Sequence, residues 1–101
     1  MRNWKKPMQI KFKKSFLKQL ANMPKDVRQK IEIFVFKELP RLKSIGEAGK
    51  IEKMHGYEDY FKTRFGSYRL GMKIENDEII VQTVMHRKEI YRFFPWNLDK
   101  F

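Results

Sequence analysis

From Tyr60 to Arg87 apolar and polar residues largely alternate, and the pattern is punctuated at Gly66-Ser67 and Asn76-Asp77. A period of two sets successive side chains on opposite faces of a strand, and two-residue breaks of this composition are favoured hairpin turns. The segment is therefore expected to form three antiparallel strands, Tyr60–Phe65, Tyr68–Glu75 and Glu78–Arg87. The turns also predict the register. Around the first, Phe65 faces Tyr68, Arg64 faces Arg69, Thr63 faces Leu70, Lys62 faces Gly71, Phe61 faces Met72 and Tyr60 faces Lys73. Around the second, Ile74 faces Ile79, Met72 faces Val81, Leu70 faces Thr83 and Tyr68 faces Met85. One side of such a sheet is apolar. The other gathers Lys62, Arg64, Arg69 and Lys73, with His86 expected at its end beside Ser67 and Arg69. A slip of one residue would push Arg64 and Arg69 into the core, where an unpaired charge is very costly, so this register is strongly preferred.

The preceding residues supply what that apolar face needs. Met8 to Phe12 alternates as a short first strand. Ser15 is a candidate cap for a first helix bearing Phe16, Leu17, Leu20 and Met23 on one face, and Pro24 opens a second. Val27, Ile31, Phe34, Val35 and Leu39 form the stripe of that second helix, Ile33 and Phe36 widen it, and Pro40 stops it. The excess width is read as core or as a groove for another chain. Leu42 to Gly49 is a turn-rich link, Ile51 to His55 a further strand, and Lys88 to Phe94 a closing helical turn. The expected fold is α+β, in the order βααββββ. An N-terminal strand and a helical hairpin pack on a twisted antiparallel sheet, and residues 1–101 make one domain.

Lysine and arginine outnumber aspartate and glutamate 23 to 12, a net charge of +11. A field of that sign concentrates polyanions, so nucleic acid or an acidic protein is the expected partner class. The chain has no cysteine, which excludes disulfides and thiolate chemistry. His55 and His86 have no ligand-spaced neighbours, so no metal or other cofactor is expected. Lys11, Lys13 and Lys14 interrupt the apolar run a signal peptide would need, and no segment is long enough to span a membrane. A cytoplasmic protein is the expectation.

Arg64 opposite Arg69 is a local conflict, because like charges directly across strands destabilise a sheet. Conflicts of that kind concentrate at functional sites. The same residue types suit phosphodiester cleavage through the 2′-hydroxyl, which needs a base, cations on the phosphoryl oxygens and an acid for the leaving oxygen. An imidazole is the side chain best suited to exchange a proton at physiological pH, so His86 is a candidate base, with Tyr91 a second candidate nearby. Gly71 would leave a depression in the face for a close-lying ligand, and Tyr57, Tyr60 and Tyr91 are candidates to stack on splayed bases.

Three stretches carry a family pattern: Met54-His55-Gly56, Tyr60-Phe61-Lys62-Thr63-Arg64-Phe65-Gly66-Ser67-Tyr68-Arg69-Leu70, and Val84-Met85-His86-Arg87-Lys88-Glu89-Ile90-Tyr91-Arg92. Together they resemble the RelE/ParE superfamily of toxins from type II toxin–antitoxin modules. The resemblance implies the same order of elements. It also implies one of two activities: RelE-like members cut mRNA on the ribosome without a metal, and ParE-like members poison DNA gyrase. By position, Lys62 and Arg64 match the basic strand of the ribonucleases, Arg69 the arginine of Tyr-Arg, Arg87 the arginine after the last strand, and Tyr91 the C-terminal tyrosine. The implied general base is left open among His86, Tyr91 and a lysine. On this resemblance the partners are the ribosome and mRNA, plus a cognate antitoxin that wraps the helical hairpin and masks the basic face. DNA enters only through an antitoxin complex. A non-catalytic RNA-binding module is the remaining alternative.

Overall fold

The structure is a computed structural model that describes residues 9–42 and 50–94. Met8, most of the Leu42 to Gly49 link and the segment after Phe94 lie outside those residues. Within them the chain runs β1 (Gln9–Phe12), α1 (Lys14–Ala21), α2 (Lys25–Ile33), β2 (Ile51–Lys53), β3 (Tyr60–Phe65), β4 (Tyr68–Glu75), β5 (Glu78–His86) and α3 (Arg87–Phe93). After Ile33 the helical path of α2 continues as a π-turn, Phe34–Glu38, and ends in a 3-10 turn, Leu39–Arg41, that contains Pro40.

The strands form one sheet in the order β1-β5-β4-β3-β2. The α+β class and the element order match the expectation. The sheet is mixed, however, because β1 lies parallel to β5, Ile10 beside Ile79 and Phe12 beside Val81. Between β1 and β5 the chain passes through both helices and three strands, a connection long enough to bring the two together in parallel. Helices α1 and α2 cover one face. There Phe16, Leu20, Ile31, Phe34, Val35 and Leu39 bury against Phe61, Phe65, Leu70, Met72, Ile74, Ile79, Val81 and Val84.

Both turns take the backbone their residues favour. Gly66 sits at φ +58°, and Asn76 and Asp77 are both at positive φ, 49° and 63°, as a type I′ hairpin requires. All six pairs of the β3–β4 register are as predicted. In the β4–β5 pair the prediction holds for Ile74 with Ile79 and Met72 with Val81, then fails. A bulge between Gly71 and Met72 inserts Gln82 as an extra residue, so Gly71 faces Thr83, Leu70 faces Val84, Arg69 faces Met85 and Tyr68 faces His86. Past a bulge the facing of every side chain is exchanged. Val84 therefore joins the main core, while Met85 turns to the opposite face.

On that opposite face Met85 meets Met54 and the Ile90 and Phe94 side chains of α3 in a second, smaller core. The Phe94 ring lies against Gly71, with three ring atoms 2.9–3.0 Å from where a Cβ would stand. The depression expected at Gly71 is thus filled by this protein's own Phe94, just past the end of α3. Gly71→Ala is expected to cost about 1–3 kcal/mol by overpacking, read as a lower urea midpoint. An unchanged midpoint would show that Phe94 is not held tightly.

Two helix starts also differ from the expectation. Lys13, not Ser15, occupies the cap of α1, and the Ser15 hydroxyl instead donates to the Gln82 carbonyl at 3.4 Å. Pro24 caps α2, whose first turn begins at Lys25. Both shifts are of one or two residues and leave the buried faces in place.

Candidate active site

The face opposite α1 and α2 carries the cations. Tyr60, Lys62 and Arg64 alternate along β3, and the pairings Tyr60–Lys73, Lys62–Gly71 and Arg64–Arg69 extend the rows onto β4. Alternate residues on a strand repeat about every 7 Å, so the cations form a ladder. Arg64 and Arg69 stand at the hairpin end, Lys62 in the middle and Lys73 at the far end. Helix α3 runs along this face and completes it from one side.

The conflict between Arg64 and Arg69 is resolved by splaying. Arg64 Nε lies 3.7 Å from Glu52 Oε1, and Arg69 Nη1 donates to the Gly66 and Tyr68 carbonyls at 2.7 and 2.9 Å. The Arg64–Glu52 pair is exposed, and exposed pairs of this length contribute little, so a phosphate can displace it readily.

Lys62 is held differently. Its Nζ donates to the Tyr91 hydroxyl at 2.6 Å and sits 4.8 Å from the centroid of the same ring. Tyr91 comes from α3 and is half exposed. Its oxygen accepts from Lys62, which leaves the phenol's own proton available to a ligand. Ammonium and phenol are thereby presented side by side, next to the two arginines.

Lys73 pairs with Glu75 at 3.3 Å and lies 5.5 Å from the centre of the Tyr60 ring. The hydrogen bond to Glu75, then the charge interaction with Tyr60, raise its pKa above the ordinary lysine value despite some desolvation. It remains a cation throughout the neutral range, but with its charge partly answered by Glu75. Arg87, exposed at the first position of α3, donates its backbone N–H to the Ser67 carbonyl at 2.7 Å. This bond ties the start of α3 to the hairpin tip beside Arg64 and Arg69.

His86 does not reach the cationic face. The bulge sets it opposite Tyr68, on the side of α1 and α2, with the two rings 5.7 Å apart. Its Nδ1 accepts the backbone N–H of Lys88 at 3.1 Å and so caps α3. A neutral imidazole has one acceptor nitrogen, and here it is already used, which counts against His86 as the base. Tyr57 and Tyr60 pack edge-on to each other, and Tyr60 edge-on to Phe94, in the smaller core. Of the three tyrosines considered for stacking, Tyr91 has the most open ring.

Sequence reasoning missed the bulge, the Phe94 seat on Gly71 and the Gln19 side chain behind the bulge. Gln19 Oε1 accepts from the Thr83 hydroxyl at 2.8 Å and from the Val84 N–H at 3.1 Å. The signal for the bulge lay in the run Gln82-Thr83-Val84-Met85, two polar then two apolar residues, which breaks the alternation on both sides.

Residues 10–91 match the family described as the ParE toxin of the type II toxin–antitoxin system parDE. The chain belongs to the RelE/ParE toxin superfamily. Within it the RelE-like branch is the nearer. Toxin RelE3 of Methanocaldococcus jannaschii is 36% identical over 89 residues, covering 87% of this chain and all of the relative. The RelB–RelE antitoxin–toxin complex from Methanococcus jannaschii superposes with a TM-score of 0.70 at 35% identity, over 84% of this chain and 99% of its counterpart. The RelBE2 toxin–antitoxin complex from Mycobacterium tuberculosis shares the fold, with a TM-score of 0.64 at 19% identity over 85% and 98% of the two chains. This toxin is thus a type II toxin of RelE-like fold. Among its described residues no helix is long and apolar enough to cross a membrane.

Proposed function

We propose that this toxin acts in the cytoplasm as a metal-independent endoribonuclease that cuts mRNA on the ribosome and so stops translation. The observation that carries the reading is the Lys62–Tyr91 contact of 2.6 Å set beside Arg64 and Arg69 on one open sheet face. In-line attack by a 2′-hydroxyl on its own phosphodiester forms a 2′,3′-cyclic phosphate and breaks the bond to the 5′-oxygen. The 2′-hydroxyl loses a proton and the leaving 5′-oxygen gains one. Arg64, Arg69 and Arg87 would neutralise the charge that builds on the phosphoryl oxygens. Lys62, having released a proton to water, is suited to accept the proton of the 2′-hydroxyl, and Tyr91 to donate its own to the leaving 5′-oxygen; the regained Lys62 proton then passes to the Tyr91 oxygen across their 2.6 Å contact, restoring both groups. Lys73, partly neutralised by Glu75, would contact the message further along its backbone.

The toxin's partner in this reading is a cognate antitoxin. Leu17, Ile33 and Phe36 stay exposed on the helical layer, and Ile33 and Phe36 line a shallow groove with Gln29, Glu32 and Lys37. An amphipathic helix with an acidic polar face would fit such a groove and the toxin's surplus positive charge.

Induction of the toxin in growing cells, with transcript ends mapped by primer extension beside a gyrase-cleavage assay, tests the proposal. In-frame cuts on translated messages should appear with the natural chain and vanish with Arg69→Ala. Trapped gyrase–DNA complexes without those cuts would overturn the reading in favour of the ParE-like activity. Salt-sensitive RNA binding with no cleavage products would reduce the toxin to a binding module.

A further inference from the structure

The bulge in β5 has its partners on α1. Gln82 is the extra residue, and a bulge leaves backbone groups that the neighbouring strand no longer satisfies. The Val84 N–H and the Thr83 hydroxyl both donate to the single oxygen Gln19 Oε1, and the Gln82 carbonyl accepts from Ser15 Oγ. Thr83 and Val84 are buried, at 0% and 1% exposure, so water does not replace Gln19 there. An amide oxygen has two acceptor sites, and both are taken.

The bulge in turn decides where α3 sits. Were β5 regular, the alternation Ile79, Val81, Thr83 would carry on and return Met85 to the face under α1 and α2. The extra residue turns Met85 outward, where it packs with Ile90 and Phe94 of α3. Thr83, Gly71 and Lys62 are successive members of one row across β5, β4 and β3. Gln19 meets the first from the α1 side of the sheet, whereas the Phe94 ring rests on the second and Tyr91 reaches the third from the opposite side. We propose that Gln19 is a positioning residue: by holding the bulge, it seats α3 and keeps the Tyr91 hydroxyl on Lys62. The catalytic consequence rests on the ribonuclease reading above, while the placement of Tyr91 does not.

Two readouts separate these layers. Toxin labelled with 3-fluorotyrosine gives resonances for its four tyrosines, and Tyr91→Phe assigns the one of interest. In Gln19→Leu the Tyr91 resonance should move or broaden, and in Gln19→Glu, which keeps an acceptor oxygen for both donors, it should return towards its original position. Single-turnover cleavage of a ribosome-bound message should fall about ten- to a hundredfold in Gln19→Leu with little change in the concentration for half-saturation. Thr83→Val removes one donor and leaves the Val84 bond, so it should displace Tyr91 less and in the same direction. It also serves if Gln19→Leu does not fold. A folded Gln19→Leu, or failing that Thr83→Val, with an unmoved Tyr91 resonance would overturn the proposal. If the natural toxin cuts no message, the ribonuclease reading fails, and the resonance alone still decides the role of Gln19.

Discussion

Replacing Lys62 with methionine is expected to slow message cleavage by about a hundred- to a thousandfold, within the usual effect of removing a positioned proton-transfer group, with only a small loss of affinity. Methionine keeps the unbranched stem that packs along the face and deletes the ammonium. The substituted toxin retains Arg64, Arg69 and Arg87, so the charge that attracts RNA is reduced by one among many. What it loses is the 2.6 Å contact with Tyr91 and the positive charge over that ring. Lys62→Arg should recover less than its charge suggests, because a guanidinium stays protonated at working pH and cannot take a proton. Single-turnover cleavage and equilibrium binding, measured on the same message, separate the two effects. Parallel losses in rate and affinity would make Lys62 a phosphate contact and leave proton transfer to other groups.

Truncating Phe34 to alanine should remove about 3–5 kcal/mol, the cost of emptying an aromatic site in a packed core. Small proteins have about 5–15 kcal/mol in total, so this change alone would bring the toxin near unfolding at growth temperature. Phe34 is 1% exposed and stands where α2 passes into its π-turn. Its ring meets Phe65 edge-on at 5.5 Å, and Lys50 lies over it at the same distance. Phe65 is the last residue of β3 before the hairpin tip and the neighbour of Arg64, so the void would open directly beneath the cationic end of the site. A urea titration should show a much lower midpoint for Phe34→Ala and a smaller drop for Phe34→Leu, which refills most of the volume. Equal drops would mean that the ring's shape, and not its volume, is what the core needs.

What the sequence could reveal followed the range of its local rules. Gly66-Ser67 and Asn76-Asp77 are short-range signals, and each set its hairpin correctly for as long as the strand stayed regular. Lys62, Arg64, Arg69 and Lys73 were placed on one face because all four lie before the bulge or on strands it does not alter. His86 lies after it. A single inserted residue was enough to move the imidazole to the other side of the sheet, where it caps a helix in place of joining the cations. The broken alternation at Gln82 to Met85 hints at an irregularity there, but the residues that stabilise the insertion, Ser15 and Gln19, are more than sixty positions away and no local pattern names them. The filling of Gly71 by Phe94 was hidden for the same reason: a glycine in a strand announces a close approach but not by what. Likewise, the parallel docking of β1 on β5 depends on a contact between the first and last strands, and no local propensity reports it.

That last pairing joins the first strand made to the last. β1 is made first, yet among the described residues its one strand neighbour is β5, which ends at His86. A nascent chain can form α1 and α2 early, but its apolar face has no sheet to cover until the final hairpin has left the ribosome, and contacts this distant in sequence form slowly. The cationic face is completed later still, when α3 docks and Tyr91 meets Lys62. On the ribonuclease reading, a nascent chain therefore carries no finished site until α3 has left the ribosome that is making it.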